Sequence, residues 1–279
     1  MGLASTINQS PIRPVLNLQA AARPLVMGVL NVTPDSFSDG GQFGDPAAAI
    51  RQAERMAAEG ADILDIGAES TRPGHKPIGA DEELARLMPI LPSVVALGLP
   101  VSVDTMKASV AEACLSHGAG IINDVWGLQH DPDMARLVAR HDVPLVIMHN
   151  RITADPAVDI LSDIEAFFGR SLRLATDAGV RRERIILDPG IGFGKTPEQS
   201  IETLAKLERL KQFRLPLLIG LSRKRFIATV SPSEPHERLG GSIAANVLAV
   251  QAGAAIIRVH DVAETVQALR VIAAIEHAR

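Results

Sequence analysis

A single-domain (β/α)8 TIM barrel, an α/β fold, is what this 279-residue sequence predicts. Three observations lead there. Eight short, nearly unbroken apolar runs recur along the chain, the pattern of parallel strands buried on both faces. Helical patterns separate these runs, and polar residues gather just after them instead of spreading evenly. Alternating strands and helices also describe a doubly wound open sheet, because periodicity cannot count closure. Eight units in about 250 residues favour the barrel. No Ser-, Gly- or Pro-rich linker and no low-complexity segment divides the chain, so residues 24–279 read as one domain behind an N-terminal lead-in, residues 1–23.

The first strand, 25–31, runs from Asn31 into Val32-Thr33-Pro-Asp35-Ser-Phe37-Ser-Asp39-Gly40-Gly41. One amide, two carboxylates and three hydroxyls within nine residues exceed what a turn needs, and they suit a charged substrate or a hard metal ion. The second strand, 62–66, precedes Glu69-Ser-Thr71-Arg72-Pro73-Gly74, and the third, 100–104, ends at Asp104-Thr105. The fourth, 119–123, leads into Asn123-Asp124; the fifth, 143–148, carries Met148 and then His149. After the sixth, 184–188, comes Asp188-Pro-Gly190-Ile-Gly192-Phe193-Gly194-Lys195. Ser222-Arg-Lys224 follows the seventh, 216–220, while the eighth, 255–259, holds Arg258 and leads to His260-Asp261. Helix starts are signalled by Asp45-Pro46, by Asp131-Pro132 and by Thr196-Pro-Glu-Gln199, which has the Thr and Gln of a capping box. In a barrel the carboxyl ends of all strands open on one face, so these motifs converge on one pocket. That convergence argues for an enzyme or a small-ligand site.

Composition narrows the class. With 47% hydrophobic and 22% charged residues the chain can bury a sizeable core. A net charge of −4 gives no global attraction to nucleic acid, and 3% aromatic content without a single Tyr is poor material for stacking on bases. The one cysteine, Cys114, has no partner for an internal disulfide and sits in an apolar helical context, which makes it inert core and fits a reducing cytoplasm. No stretch reaches the ~18 apolar residues of a membrane span, and residues 1–23 lack the charged start and apolar core of a secretory signal, so neither export nor membrane insertion is expected.

The glycine loop 190–194 fits neither common nucleotide motif. A Walker loop needs Gly where Pro189 stands, and a dinucleotide fingerprint needs its third Gly one residue after Gly194, with an acidic residue at a strand end rather than Glu208 in a helix. The loop does offer Asp188 beside glycines that let a flat ligand approach the backbone. A buried carboxylate accepting two hydrogen bonds suits an amidine-like edge, such as that of a pterin or guanine. Asp104 and Asn123 either complete that recognition or cap the helices that follow. Arg258 lies inside an apolar run and therefore needs a partner; with His260 and Lys224 it brings positive charge to the barrel sector that often binds phosphate. His149 reads as a satisfied, half-buried imidazole. His149 and His260 have no third His or Cys at suitable spacing, which excludes a zinc centre.

Taken together, Asn31 to Gly41, Gly67-Ala-Glu-Ser-Thr-Arg-Pro-Gly74, Ser102-Val-Asp-Thr105, Ile122-Asn-Asp-Val125, Asp188 to Lys195, Ser222-Arg-Lys224 and Arg258-Val-His-Asp-Val262 resemble the dihydropteroate synthase family from about residue 25 onward. The resemblance implies a cytoplasmic transferase of folate biosynthesis, a sulfonamide target. It would join 4-aminobenzoate to a pterin methyl diphosphate with release of pyrophosphate. By the family pattern Asp104, Asn123, Met148, Asp188 and Lys224 would hold the pterin, and Thr71, Arg258 and His260 the diphosphate. Arg72, Pro73, Phe193 and Ser222 would form the aminobenzoate pocket, and Asn31 would bind Mg2+. Asp35 and Asp104 would stabilise the pterin cation, with Lys224 and Arg258 completing the catalytic group, while the loop from Thr33 to Gly41 would act as a lid. The chain departs from the family at Asn150-Arg151-Ile-Thr-Ala-Asp155, where a Gly- and Pro-containing loop is usual, so no ligand contact beyond Met148 carries over there. Two alternatives share a pterin pocket. A corrinoid-linked methyltransferase barrel has no need of the diphosphate sector, and a catalytically silent paralogue should have lost residues of the first two loops, whereas Asn31, Asp35, Thr71 and Arg72 are all present. Helices over 237–253 and 262–277 are candidates for a homodimer face.

Overall fold

The computed structural model describes residues 23–33, 45–70 and 76–278. Its eight parallel strands are β1 (Leu25–Asn31), β2 (Ile63–Gly67), β3 (Val101–Asp104), β4 (Ile121–Asp124), β5 (Leu145–Met148), β6 (Ile185–Asp188), β7 (Leu218–Gly220) and β8 (Ile256–Val259). Between and after them lie α1 (Pro46–Ala58), α2 (Ala80–Leu87), α3 (Leu91–Val95), α4 (Ala108–Ser116), α5 (Met134–His141), α6 (Ile160–Asp177), α7 (Pro197–Ala205), α8 (Arg225–Val230), α9 (Leu239–Gln251) and α10 (Val262–His277). Every expected apolar run holds a strand, some beginning up to two residues later than apolarity alone suggests.

Strand order settles the choice between barrel and open sheet. It runs β6-β5-β4-β3-β2-β1-β8-β7, cyclic in sequence and without the reversal that defines a doubly wound sheet. The two ends meet where Leu187 pairs with Leu217 and its N–H donates to the Pro216 carbonyl at 2.9 Å, closing the ring beside β7.

Side chains alternate across each strand, and this alternation builds the pocket floor. Met27, Ile63, Ile121, Val146, Ile186, Leu218 and Ile256 form an apolar plug inside the barrel. Two residues further along the same strands stand Val29, Asp65, Asn123, Met148, Asp188, Gly220 and Arg258. One step up the barrel axis thus changes an apolar plug into a largely polar layer. The intervening residues, among them Leu64, Ile122, Ile147, Leu187 and Ile257, pack outward in the core shared with the helices. Each such burial is worth about 1.5–3 kcal/mol.

Two of the three expected helix starts stand as read. Asp45 accepts from Ala47 N at 2.9 Å ahead of Pro46, and Thr196 and Gln199 form a reciprocal capping box, at 3.2 and 3.0 Å. The third is displaced. α5 begins after Asp133, because Asp131 uses one oxygen on Asp133 N (3.0 Å) and the other on Ala108 N (2.8 Å), so it caps α4 across the barrel surface instead. The stretch around Glu208 is a 3-10 helix, Leu207–Phe213. Cys114 is buried in α4, and burial pushes its thiol up to about 12, so it is inert. Among the described residues no helix is long and apolar enough to cross a membrane.

Candidate active site

At the carboxyl end of the barrel the polar layer is organised around Arg258. Its Nε donates to Asp65 Oδ2 at 2.6 Å and its Nη2 to Asp104 Oδ2 at 2.9 Å, which supplies the partner that a cation in an apolar strand requires. Burial works against the guanidinium charge, but Asp65 and Asp104 outweigh it and hold the group above its ordinary pKa. Asn123 Nδ2 donates to the same Asp65 oxygen at 3.0 Å. Asp65, fully buried, is a site residue that strand-end motifs did not reveal; it sits inside Ile63-Leu-Asp65-Ile-Gly67, not after it.

Asp188 is 5% exposed and takes a hydrogen bond from Gly190 N at 2.7 Å. Burial pushes it up to about 6, with Gly190 N–H and the Lys224 and Arg258 charges pulling the other way. Burial likewise pushes Asp104 up to about 7; Arg258 opposes the rise and Asp65 adds to it. Lys224 is brought down to about 8, first by burial and then by Arg258. Its ammonium lies 4.0 Å from the centre of the Phe193 ring, a cation–π contact that joins the glycine loop to the end of β7. Met148 is buried, with its Cγ near Gly190.

The glycines of the loop answer mainly to the protein itself. A Cβ on Gly190 would lie 1.9 Å from the His149 carbonyl oxygen, and one on Gly194 would lie 2.4 Å from the Arg151 carbonyl oxygen. Close approach to the segment after β5, not to a flat ligand, fixes these two positions; Gly192 is the one beside Lys224. Beneath the loop, Lys195 Nζ reaches His149 Nδ1 (2.7 Å), Gly190 O (2.8 Å) and Phe193 O (3.1 Å). His149 Nε2 faces Asp163 at 3.1 Å, which assigns the ring proton to Nε2 and leaves Nδ1 to accept from lysine. His149 is fully buried, not half-buried, and is held neutral: burial and the Lys195 charge press it down to about 3. Replacing Lys195 with methionine removes the lysine's donor from His149 Nδ1 and Phe193 O, while Gly190 O keeps Phe193 N at 3.0 Å. A loss of about 2 kcal/mol in urea unfolding is expected, after allowing for relief of the buried ammonium; unchanged stability would remove this lysine from the loop's support.

His260 sits beside Ser222, which accepts from His260 N at 3.3 Å and lies 3.1 Å from Nδ1. With the Ser222 hydroxyl donating its one proton to Nδ1, the imidazole would carry its own proton on Nε2. Burial, followed by Arg258 and Arg223, lowers His260 to about 4. At neutral pH it is therefore a neutral imidazole and not a second cation. Arg223, in a left-handed conformation at φ 60°, pairs with Asp261 and so tightens the Ser222-Arg-Lys turn against the end of β8. At β2 and β3 Lys107 bridges Glu69 and the fully buried Glu83, at 2.5 Å each, which anchors the start of the strand-2 motif.

Asn31, Asp104, Asn123, Met148, Asp188, Phe193, Ser222, Lys224, Arg258 and His260 all lie at or just beyond the carboxyl ends of the strands. Asp35, Thr71, Arg72 and Pro73, together with the lid expected up to Gly41, lie outside the described residues. Among the described residues no group of three His, Cys, Asp or Glu side chains could hold a metal ion.

Residues 27–260 match the pterin-binding enzyme family. The dihydropteroate synthase of Bacillus subtilis is 48% identical over 241 residues, covering 86% of this chain and 84% of that protein. The Escherichia coli dihydropteroate synthase is 41% identical over 260 residues, covering 91% and 92%. Among solved structures, Xanthomonas albilineans dihydropteroate synthase with 4-aminobenzoic acid superposes with a TM-score of 0.89 at 46% identity, covering 94% of this chain and 95% of that one. The same enzyme in complex with 7,8-dihydropteroate gives 0.85 at 44% identity, again covering 94% and 95%. Sequence motifs, closed barrel and relatives agree over nearly the whole length, and the chain belongs to the pterin-binding enzyme family as a dihydropteroate synthase.

Proposed function

We propose that the chain condenses 4-aminobenzoate with (7,8-dihydropterin-6-yl)methyl diphosphate, giving 7,8-dihydropteroate and pyrophosphate, as a cytoplasmic enzyme of folate biosynthesis. The observation that carries this reading is the polar layer itself, with the half-buried carboxylate of Asp104 and the buried one of Asp188 beside Arg258 and Lys224, directly above an apolar plug. Acceptors in the floor match the donor edge of a pterin, and cations beside them match a departing diphosphate.

In this reading Asp188 accepts from the 2-amino group and ring N–H of the pterin, Asn123 and Asp104 take its remaining polar edge, and Met148 packs against the ring. Lys224 leaves the Phe193 ring for a pterin acceptor. Breaking the methylene C–O bond places positive charge on the pterin and negative charge on pyrophosphate. Asp104 and Asp35 are assigned to the first charge, and Arg258, Thr71 and His260 to the second. The arylamine then forms the new C–N bond and releases a proton. It is already unprotonated at neutral pH, so no strong general base is required. Arg72, Pro73, Phe193 and Ser222 are assigned to the aminobenzoate, Ser222 also orienting His260.

Asn31 offers a hard amide oxygen at the end of β1, and Mg2+ characteristically takes one or two protein oxygens together with substrate phosphates and water. The donor set therefore fits Mg2+ held jointly by Asn31 and the diphosphate, where it would neutralise charge on the leaving group. A homodimer is assigned to the groove between α9 and α10, lined by Leu239, Ile243, Val247, Ala268 and Val271, with Leu248 58% and Ile275 53% exposed nearby. Sedimentation as a species of twice the chain mass would bear this out, and a monomer would refute it.

The direct test is pyrophosphate release by purified protein, which should require the pterin diphosphate, 4-aminobenzoate and Mg2+ together. Pterin binding without turnover would favour a silent paralogue. A pH dependence follows from Asp188. Its pKa in the free protein is raised to about 6, and the pterin needs the ionised acceptor, so binding expels the proton. Affinity should fall about tenfold per unit below that pH on account of this group. Calorimetric titration between about pH 5 and pH 8 measures this, and Asp188→Asn should remove the dependence along with most of the affinity.

A further inference from the structure

Asp65 is the least economical residue in the barrel. Its side chain is fully buried directly above Ile63 of the apolar plug, where an aliphatic side chain would pack without desolvating a charge. Buried ion pairs are often no better for stability than apolar replacements of the same volume, so stability alone gives little reason for a carboxylate here. Its contacts are more informative. A single oxygen, Oδ2, receives Arg258 Nε at 2.6 Å and Asn123 Nδ2 at 3.0 Å.

We infer that Asp65 is a positioning residue for the condensation: it orients the Asn123 amide and fixes the Arg258 guanidinium so that the pterin and diphosphate subsites keep one register. The inference rests on the proposed pterin function and adds a residue which that reading does not use. An asparagine amide has two nearly isosteric orientations. With Nδ2 donating to Asp65, the other atom, Oδ1, is buried and has no partner of its own. The flipped amide would set oxygen against the Asp65 oxygen. The carboxylate thus decides that Asn123 presents an acceptor to the ligand, which is what the N–H groups of a pterin edge need. The same oxygen holds Arg258 by Nε while Asp104 holds Nη2, so two sides of the planar guanidinium are fixed and Nη1 takes no part in the pairing. Asp65 Oδ1 and its strand neighbour Ser102 Oγ are also buried without partners, which marks this layer as one built for polar company and not for packing.

The test compares wild type with Asp65→Asn for binding of 6-hydroxymethyl-7,8-dihydropterin, for turnover of the pterin diphosphate, for the aminobenzoate KM and for melting temperature. Positioning predicts pterin binding weaker by about tenfold, as for one hydrogen bond, and kcat/KM for the diphosphate lower by roughly a hundredfold, as for a misplaced cation. The aminobenzoate KM should stay within about twofold, since uniform damage would move all three constants. A folded Asp65→Asn with wild-type constants overturns the inference. Asp65→Glu separates charge from position. It keeps the carboxylate but moves its oxygens by one methylene, and should show the same ordered losses; full activity there would reduce Asp65 to a counter-charge. If neither variant folds, the wild-type protein still decides. The side-chain NH2 of Asn123 should be protected from exchange in NMR spectra and keep its orientation when pterin is added. A flip or loss of protection refutes the inference. Failure of the wild type to bind pterin at all would instead refute the functional reading.

Discussion

Asp188→Ala is expected to weaken pterin binding by two to four powers of ten while leaving the fold intact. The affinity loss follows from two charge-assisted hydrogen bonds to the pterin edge, each worth about 1.5–3 kcal/mol, with about 1.4 kcal/mol per tenfold. The unchanged fold follows from the sign of the pKa shift. A carboxyl raised by burial from 3.8 to about 6 is one whose ionised form the folded state disfavours relative to the unfolded chain. Its contribution to stability therefore falls as pH rises through that window, and at neutral pH its removal relieves a penalty. Against this stands the loss of one acceptor for Gly190 N, at 2.7 Å. The melting temperature should stay within a few degrees of wild type or rise, and pterin calorimetry should lose its signal. A variant that loses affinity only because it unfolds would sink the assignment, since Asp188 would then be a structural anchor for the glycine loop.

The contrast between Asp188 and Asp65 shows what a sequence displays and what it conceals. Asp188 stands at the end of an apolar run, before Pro and Gly, so the break in apolarity announces it. Asp65 lies within such a run, and its role depends on Arg258, which is 193 positions away along the chain but two strands away in the barrel. A usable signal did exist. Arg258 within its own strand demanded an opposite charge, and Asp65 is the acid at inward parity in the strand run before Gly67, two strands away. Parity along the strand, carried one step beyond the apolar plug, would have found it. Lys195 was concealed in another way. It ends a conspicuous glycine motif, yet it works beneath that motif, through His149 on the neighbouring strand end and Asp163 on α6. Strand positions were legible because burial on both faces leaves only apolar residues to choose from, as at Leu145–Met148. Closure was not, because the Leu187–Leu217 pairing has no local signature. The start of α5 failed for a similar reason, Asp131 being drawn to the N-terminus of α4 by tertiary contact.

Arg258→Ala should be the most damaging single change in stability as well as in turnover. It leaves Asp65, fully buried, without its cation, and Asp104 without a bond of 2.9 Å. Breaking a buried pair from one side typically costs about 3–5 kcal/mol, because the remaining charge stays desolvated. Urea unfolding should register a loss of that size, and pyrophosphate release should fall below detection. Arg258→Lys restores the charge but not the fork. A single ammonium cannot reproduce the separate Nε and Nη2 bonds to carboxylates on β2 and β3, so stability should recover in part while turnover stays low. The decisive comparison is the double variant Asp65→Asn with Arg258→Ala. If the penalty is that of an orphaned charge, removing the charge should return most of the lost stability, the double change costing at least about 1 kcal/mol less than the sum of the single changes. Activity should not return, because the diphosphate has still lost its cation. A double variant as unstable as Arg258→Ala alone would mean that the guanidinium stabilises the barrel by packing and not by pairing, and the buried layer would then have to be explained without its ion pair.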